Sequence, residues 1–404
     1  MKNRFFLVLF FTSFLSFTQI TVTGTVSEKN NPLEGAAVYF NNTMVGTTTD
    51  SNGKFSIQIK EGKYELIVSY LGYKKIIYNL NTSTYKKPLG FSLEEENNML
   101  NEIVIKKTVY DDDWKYNLTR FKREFIGTTA IAKECKILNP EVLHFDFSAK
   151  NNVLVAYARK PLEIMHKRLG YKITYDLEQF IINKNSVTYL GYSRYKNLKG
   201  SKRKQRKWNA KRLETYNGSF FHFYQSLLKN TTYKDGFLIH QFKRVKNPER
   251  PSEKKIKNAR ELVRLNRSKI NFFTEIDNPK TPLDSALVVL KKAKMPKFKD
   301  YLYKSKVPAN EIIITKKGVS YLSFDNNISV VYTNELEEEG YILRNQFSKL
   351  REALPQTSSI IPLKSATEID ENGTLVSPLD VFYEGYWSYE KFANSLPLDY
   401  VPIK

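Results

Sequence analysis

The sequence predicts an all-β sandwich at the N-terminus followed by an α+β region with antiparallel sheet and several helices. Three observations carry this. Residues 21–93 alternate polar and apolar side chains with a period of two and break at clusters of turn-forming residues. Residues 114–404 mix similar runs with apolar stripes at helical spacing. A chain of 404 residues with 14% aromatic content has length for two to three domains and material for their cores.

Residues 1–18 read as a signal peptide. Lys2 and Arg4 supply the charged start, residues 5–17 are apolar, and Ser16 and Thr18 are small residues ahead of a cleavage point at Gln19. The apolar stretch is 13 residues, short of the roughly 20 that a membrane helix needs. An uncleaved anchor is the alternative, and the lack of a nearby cysteine argues against a lipid anchor. The signal-peptide pattern leads us to expect an exported chain, periplasmic or outer-membrane associated, and because no later apolar run approaches a membrane span the mature chain is expected to lack a transmembrane segment.

The sandwich is expected over 19–93. Phe55, Ile57 and Ile59 oppose Ser56, Gln58 and Lys60, and Tyr64, Leu66, Val68 and Tyr70 repeat the pattern. Val22, Gly24 and Val26 do so more weakly, as do Val38 and Phe40. The expected core is Val26, Val38, Phe40, Phe55, Ile57, Tyr64, Leu66 and Val68. The breaks are Asn30-Asn31-Pro32, Asn41-Asn42, Asp50-Ser51-Asn52-Gly53 and Glu61-Gly62, where Asn and Gly accept positive φ and Asp binds nearby backbone. Asp50 and Asn52 also match the first half of a calcium loop, but the bidentate glutamate such a loop needs is absent, so a turn is expected.

These residues resemble the carboxypeptidase regulatory-like domain family. The features are Val22, Gly24 and Val26, then Pro32, Gly35, Ala36 and Val38, then residues 46–50, Gly53 before Phe55, Gly62 with Tyr64, and Tyr70-Leu71-Gly72-Tyr73. The resemblance implies a transthyretin/Ig-like sandwich. Such domains sit beside metallocarboxypeptidases and, in Bacteroidota, at the N-terminus of TonB-dependent receptors and other envelope proteins. It implies a structural or docking role, with envelope proteins as partners, and no catalysis.

Residues 94–113 are expected as an acidic, polar linker carrying one short strand at 100–105. The chain beyond is too short for a receptor barrel. Trp114, Leu118, Phe121 and Phe125 predict a helix. Residues 142–147 and 153–158 predict a hairpin around Lys150-Asn151-Asn152, and 171–182 with 187–192 a second around Asn183-Lys184-Asn185. Leu213, Tyr216, Phe220, Phe223 and Leu227 predict one helix with Gly218 inside it, at a cost of about 1 kcal/mol relative to alanine. Ser252 caps a basic helix through Leu265. Strands are expected at 237–245, 311–315, 319–324 and 328–332, and irregular structure over 273–310.

The second region resembles a family of Bacteroidota envelope proteins to which no activity attaches. The matching stretches are 121–139, 169–177, Tyr189-Leu190-Gly191-Tyr192, Tyr216-Asn217-Gly218-Ser219 and Gly385-Tyr386-Trp387.

Chemistry is sparse. The resemblance raises a metallocarboxypeptidase, whose zinc site needs a His-x-x-Glu pair and a further histidine. The four histidines, His144, His166, His222 and His240, are followed at that spacing by Phe147, Leu169, Gln225 and Lys243. No cofactor or metal site is expected. Cys135, the one cysteine, excludes an intrachain disulfide and reads as a small core residue before it reads as a nucleophile served by His144 or His166. Ser201 and Lys204 have the spacing of some acyl-enzymes inside a run where lysine is common. Glu337-Glu338-Glu339 is expected in a solvated loop.

Net charge is +22, or +20 without residues 1–18, which calls for an anionic partner or surface. Within 196–212, Lys196, Lys199, Lys202, Arg203, Lys204, Arg206, Lys207, Lys211 and Arg212 occur with no acid, interleaved with Trp208. A basic loop is expected there, entering a helix near Asn209, with Lys211 and Arg212 turned outward. Lys199, Lys202, Arg203, Lys204, Arg206, Lys207 and Trp208 are the candidate contacts to an anionic lipid or glycan. Export makes nucleic acid an unexpected partner. The reading is a non-catalytic exported envelope protein. The alternatives are a hydrolase of unrecognised type in 114–404, or a binder of anionic envelope polymers through 196–212.

Overall fold

The computed structural model describes residues 19–96, 108–184, 186–270, 278–344 and 350–403. The expected signal peptide at 1–18 and the strand at 100–105 lie outside them. The first unit comprises β1 (Gln19–Glu28), β2 (Asn31–Pro32), β3 (Ala37–Phe40), β4 (Gly46–Thr48), β5 (Lys54–Lys60), β6 (Lys63–Ser69), β7 (Ile76–Asn81) and β8 (Leu89–Ser92). Two sheets face each other: β2-β1-β5, with β8 parallel to β1, and β4-β3-β6-β7. Alternation places Phe55, Ile57 and Ile59 of β5 inside and their neighbours in solvent. They meet Val22, Val26, Val38, Phe40, Leu66 and Val68, while Tyr64 packs half-buried at the margin of this core. Asp50 Oδ1 accepts from the amides of Asn52 (2.9 Å) and Lys54 (2.8 Å), so the calcium-like run is a turn that satisfies itself.

The polar stretch expected to end at 113 instead starts a helix. Asp111 caps α1 (Asp112–Phe125) by accepting from Trp114 N at 2.8 Å, and Asp112 and Asp113 sit in the first turn, where carboxylates oppose the helix dipole. Phe121 and Phe125 bury against a six-stranded sheet made of β9 (Cys135–Ile137), β10 (Leu143–Ser148), β11 (Val153–Ala158), β12 (Leu162–His166), β13 (Tyr171–Asn183) and β14 (Ser186–Asn197). β14 pairs with β13 along its length, and β11 and β12 share the other edge.

The expected single helix over 213–227 is two. Ser201 caps α2 (Lys202–Tyr216) and Ser219 caps α3 (Phe220–Leu228). Gly218 between them has φ +74°, and a Cβ there would lie 2.6 Å from the Tyr332 ring. The chain must turn at Gly218, because a left-handed residue cannot continue a helix. Phe223 and Leu227 stay buried, but Phe220 is exposed.

A second body follows. Its main sheet runs β16-β15-β19-β20-β22, from β15 (Phe237–Lys246), β16 (Phe298–Lys304), β19 (Asn327–Leu336), β20 (Pro355–Pro362) and β22 (Val381–Gly385). A smaller sheet joins β17 (Ile313–Lys316), β18 (Val319–Leu322) and β21 (Thr367–Ile369). α3 and Trp387 close its core, the indole donating to Gly218 O at 2.8 Å. Short helices α6 (Glu339–Ile342) and α7 (Tyr386–Tyr389) bring Tyr341, Tyr386 and Tyr389 together. Between β15 and β16 stand α4 (Glu253–Leu265), capped by Ser252, and α5 (Pro282–Lys292). The expected irregular stretch over 273–310, of which 273–277 lie outside the described residues, is corrected over 278–310: Thr281 and Asp284 form a reciprocal cap with Pro282 at the first turn, and β16 pairs with β15. No helix among the described residues is long and apolar enough to cross a membrane.

Candidate functional site: the sandwich seat and the cationic helix

The turn between β3 and β4 enters the six-stranded body. Asn42 N donates to Ser193 O at 2.8 Å, Tyr195 N to Thr43 O at 2.9 Å, and Leu398 N to Asn42 O at 2.7 Å. Asn41 Oδ1 accepts from Ser193 N at 3.0 Å, and Asp399 Oδ1 accepts from Met44 N at 3.0 Å. Thr43 is fully buried here. Asn42 has φ +55°, a conformation that asparagine tolerates better than most residues. The seat thus continues main-chain pairing across the junction, and that leaves few buried polar groups unmet. Around it, the Arg194 guanidinium lies 5.6 Å from the Tyr39 ring centre, and Lys75 reaches both Asp176 and Glu178. Burial works against the Lys75 ammonium, but the two carboxylates outweigh it and raise its pKa. On the other flank Lys63 pairs with Glu368 at 2.9 Å. That pair borders a cleft of about 690 Å³ lined by Lys63, Asn81, Gln225, Lys229, Asp370 and Asn372.

The basic segment is not a loop. Lys196 and Asn197 end β14, Ser201 Oγ accepts from Lys204 N, and helix begins at Lys202. That cap also accounts for the Ser201 and Lys204 spacing. Lys199, Lys202, Arg203, Lys204, Arg206 and Lys207 are all exposed, and all but Lys199, which precedes the cap, form one end of α2. Lys202, Arg203 and Lys204 crowd its positive end, which disfavours the free state by about 0.3–1 kcal/mol per cation. Trp208 does not join them. Its ring seals Gly170, where a Cβ would lie 2.2 Å away, and its Nε1 donates to Lys167 O at 2.9 Å. Arg212 turns inward too, donating to Leu169 O (2.8 Å) and Asn197 Oδ1 (2.8 Å) with its guanidinium 3.9 Å above the Tyr171 ring. Lys211 pairs with Glu214. The helix therefore anchors on one face through Trp208 and Arg212 and presents charge on the other.

Residues 22–105 match the CarboxypepD_reg-like domain. Over 105 residues the chain is 32% identical to TonB-dependent receptor P39 of Formosa agariphila, an alignment that covers 25% of this chain and 10% of the receptor. The chain thus spans about a tenth of the length of that relative. The CarboxypepD_reg-like domain is typical of envelope proteins and fits a structural or docking module. Its seat on the body is where that module meets the rest of the molecule.

Outside the CarboxypepD_reg-like domain, two groups bear on chemistry. Cys135 on β9 faces His166 on β12, but burial pushes its thiol up to about 12. His166 Nε2 donates to Ala393 O at 2.9 Å and Nδ1 accepts from Leu169 N at 3.2 Å, which leaves no nitrogen to take a proton. Glu337, Glu338 and Glu339 do not form a solvated loop. Glu337 is buried and paired with Arg351 at 2.7 Å, and Glu338 accepts from Ala130 N and the Tyr389 hydroxyl. Near Glu338 stand Glu335 and Glu390. Burial is the main cause that lifts Glu390 to about 8, followed by repulsion from Glu335 and Glu338. Burial likewise lifts Glu335 to about 7. Among the described residues no group of three or more His, Cys, Asp or Glu is arranged to hold a metal. The seat and this carboxyl group escaped sequence reading. The first looked like an ordinary Asn-Asn turn, and the second is assembled from separate segments. The aromatic run at Tyr386, Trp387 and Tyr389 beside Glu390 was the available signal of a buried acid.

Proposed function

We propose that this chain is a non-catalytic, exported envelope protein. Its CarboxypepD_reg-like domain is a structural module seated on a larger body, and the exposed face of α2 contacts an anionic envelope polymer. The observation that carries the reading is the seat itself. Backbone pairing from Asn42, Thr43 and Leu398 makes the sandwich an integral support, not a tethered appendage. The cations of α2 add the contact surface. Lys202, Arg203, Arg206 and Lys207 lie off the stripe of Trp208 and Arg212, with exposed Lys199 just before the helix and exposed Lys204 at its first turn, and an anion would relieve the crowding at the helix start.

The test has two readouts. Mass spectrometry of the protein from an envelope fraction is expected to find a chain starting at Gln19; an intact Met1 in a cytoplasmic fraction would contradict export. Retention on an acidic polysaccharide resin is expected to be salt-sensitive. It should be lost when Lys202, Arg203, Lys204, Arg206 and Lys207 are changed together to Gln, and unchanged retention would remove α2 from the reading. A second reading, a hydrolase in 114–404, draws on Glu335 and Glu390, two carboxyls held protonated near neutral pH as a general acid must be. Burial alone, of Glu335 beside Gln356 and of Glu390 beside Tyr386 and Tyr389, gives the same shifts without catalysis.

A further inference from the structure

The helical arm between β15 and β16 is the least explained part of the molecule. It interrupts two strands that pair with each other, so the main sheet does not need it. Among the described residues α4 and α5 pack on each other and make no comparable contact with any other element. Only Ile256, Ala259 and Ala286 are fully buried within them. The root is fixed: buried Asn247 donates from its backbone to Lys297 O at 2.9 Å and from its side chain to Pro296 O at 3.0 Å.

Charge is sorted along this arm. Residues 250–297 contain 13 Lys and Arg against 5 Asp and Glu. The acids at the root are consumed there, Glu249 by Lys299 at 2.6 Å and Glu253 by Arg250 at 2.8 Å. Asp284 is spent on the cap of α5. Lys254, Lys255, Lys257, Lys292 and Lys294 are exposed, and among the described residues no carboxylate pairs with them. Beside the root runs β16, the outermost strand of its sheet, with Phe298 53% and Leu302 59% exposed. Phe298 and Leu302 share a strand face and flank Asp300, which is held by Arg244 at 2.7 Å. A soluble polyanion would use the lysines but has no use for these apolar side chains. A bilayer uses both, since phosphates attract lysine while aromatic and aliphatic side chains sink to the headgroup boundary.

We propose that the arm, Lys254, Lys255, Lys257, Lys292 and Lys294 together with Phe298 and Leu302, docks on the surface of an anionic phospholipid bilayer. This surface is separate from α2 and does not depend on what α2 binds.

The experiment is co-sedimentation of the full chain with phosphatidylcholine vesicles, with and without phosphatidylglycerol, at low and high salt. Binding is expected only with phosphatidylglycerol and to weaken with salt. A cation near such a surface is worth about fivefold in binding, so changing the five lysines to Gln should weaken it by at least about a hundredfold. The same variant should keep its retention on the acidic polysaccharide resin. Changing Phe298 and Leu302 to Ser should weaken binding at high salt most, where the apolar contribution dominates. Unchanged urea midpoints establish that both variants are folded. Vesicle binding retained by the five-lysine variant, or salt-independent self-association through the arm in place of vesicle binding, would overturn the proposal.

Discussion

Glu390 illustrates how one residue can carry a pH dependence. Folded, it keeps its proton to about 8, and its ordinary value is 4.5. The folded state therefore binds the extra proton between those values. The contribution is full below 4.5 and is lost as pH rises toward 8. Because the side chain is largely enclosed, beside Tyr386 and Tyr389, the loss is on the order of a few kcal/mol. Glu335 adds a smaller contribution of the same sign. Urea midpoints for wild type and Glu390→Gln should converge at low pH and separate at high pH, with the variant more stable. Parallel pH profiles would mean that Glu390 ionises normally in the folded chain.

At the scale of elements, the break at Gly218 makes the sharpest prediction. In a continuous helix Gly218→Ala would gain about 1 kcal/mol. At φ +74°, with a Cβ 2.6 Å from the Tyr332 ring, it should instead cost about 1–3 kcal/mol. The sign of the shift in urea midpoint decides between the two. The strands of the sandwich and the 171–197 hairpin were legible because one buried face writes a period-two pattern. Helix α1 was legible from its stripe, although its acidic cap was read as linker. Helix α5 was missed because Lys and Pro mask a Thr-Pro-x-Asp start whose capping chemistry is specific. The cations of α2 were legible as a cluster. Their setting was not, since the inward turn of Trp208 and Arg212 depends on Gly170 and Tyr171, remote in sequence.

For the whole molecule, the claim that matters is that the sandwich is seated and not merely linked. None of it was readable beforehand. Asn41-Asn42 is ordinary turn chemistry, and its partners Ser193, Tyr195 and Leu398 lie about 150 to 350 positions away. The direct measurement is amide hydrogen exchange at Tyr195 and Leu398, whose N–H groups donate to Thr43 and Asn42 of the sandwich. Both are expected to be protected to the same degree as the strands around them. Changing Asn42 to Ala is expected to expose both while Ile57 and Ile173, deep in the two cores, stay protected. Rapid exchange at Tyr195 and Leu398 in the unaltered chain, with both cores protected, would contradict it and return the sandwich to a tethered module.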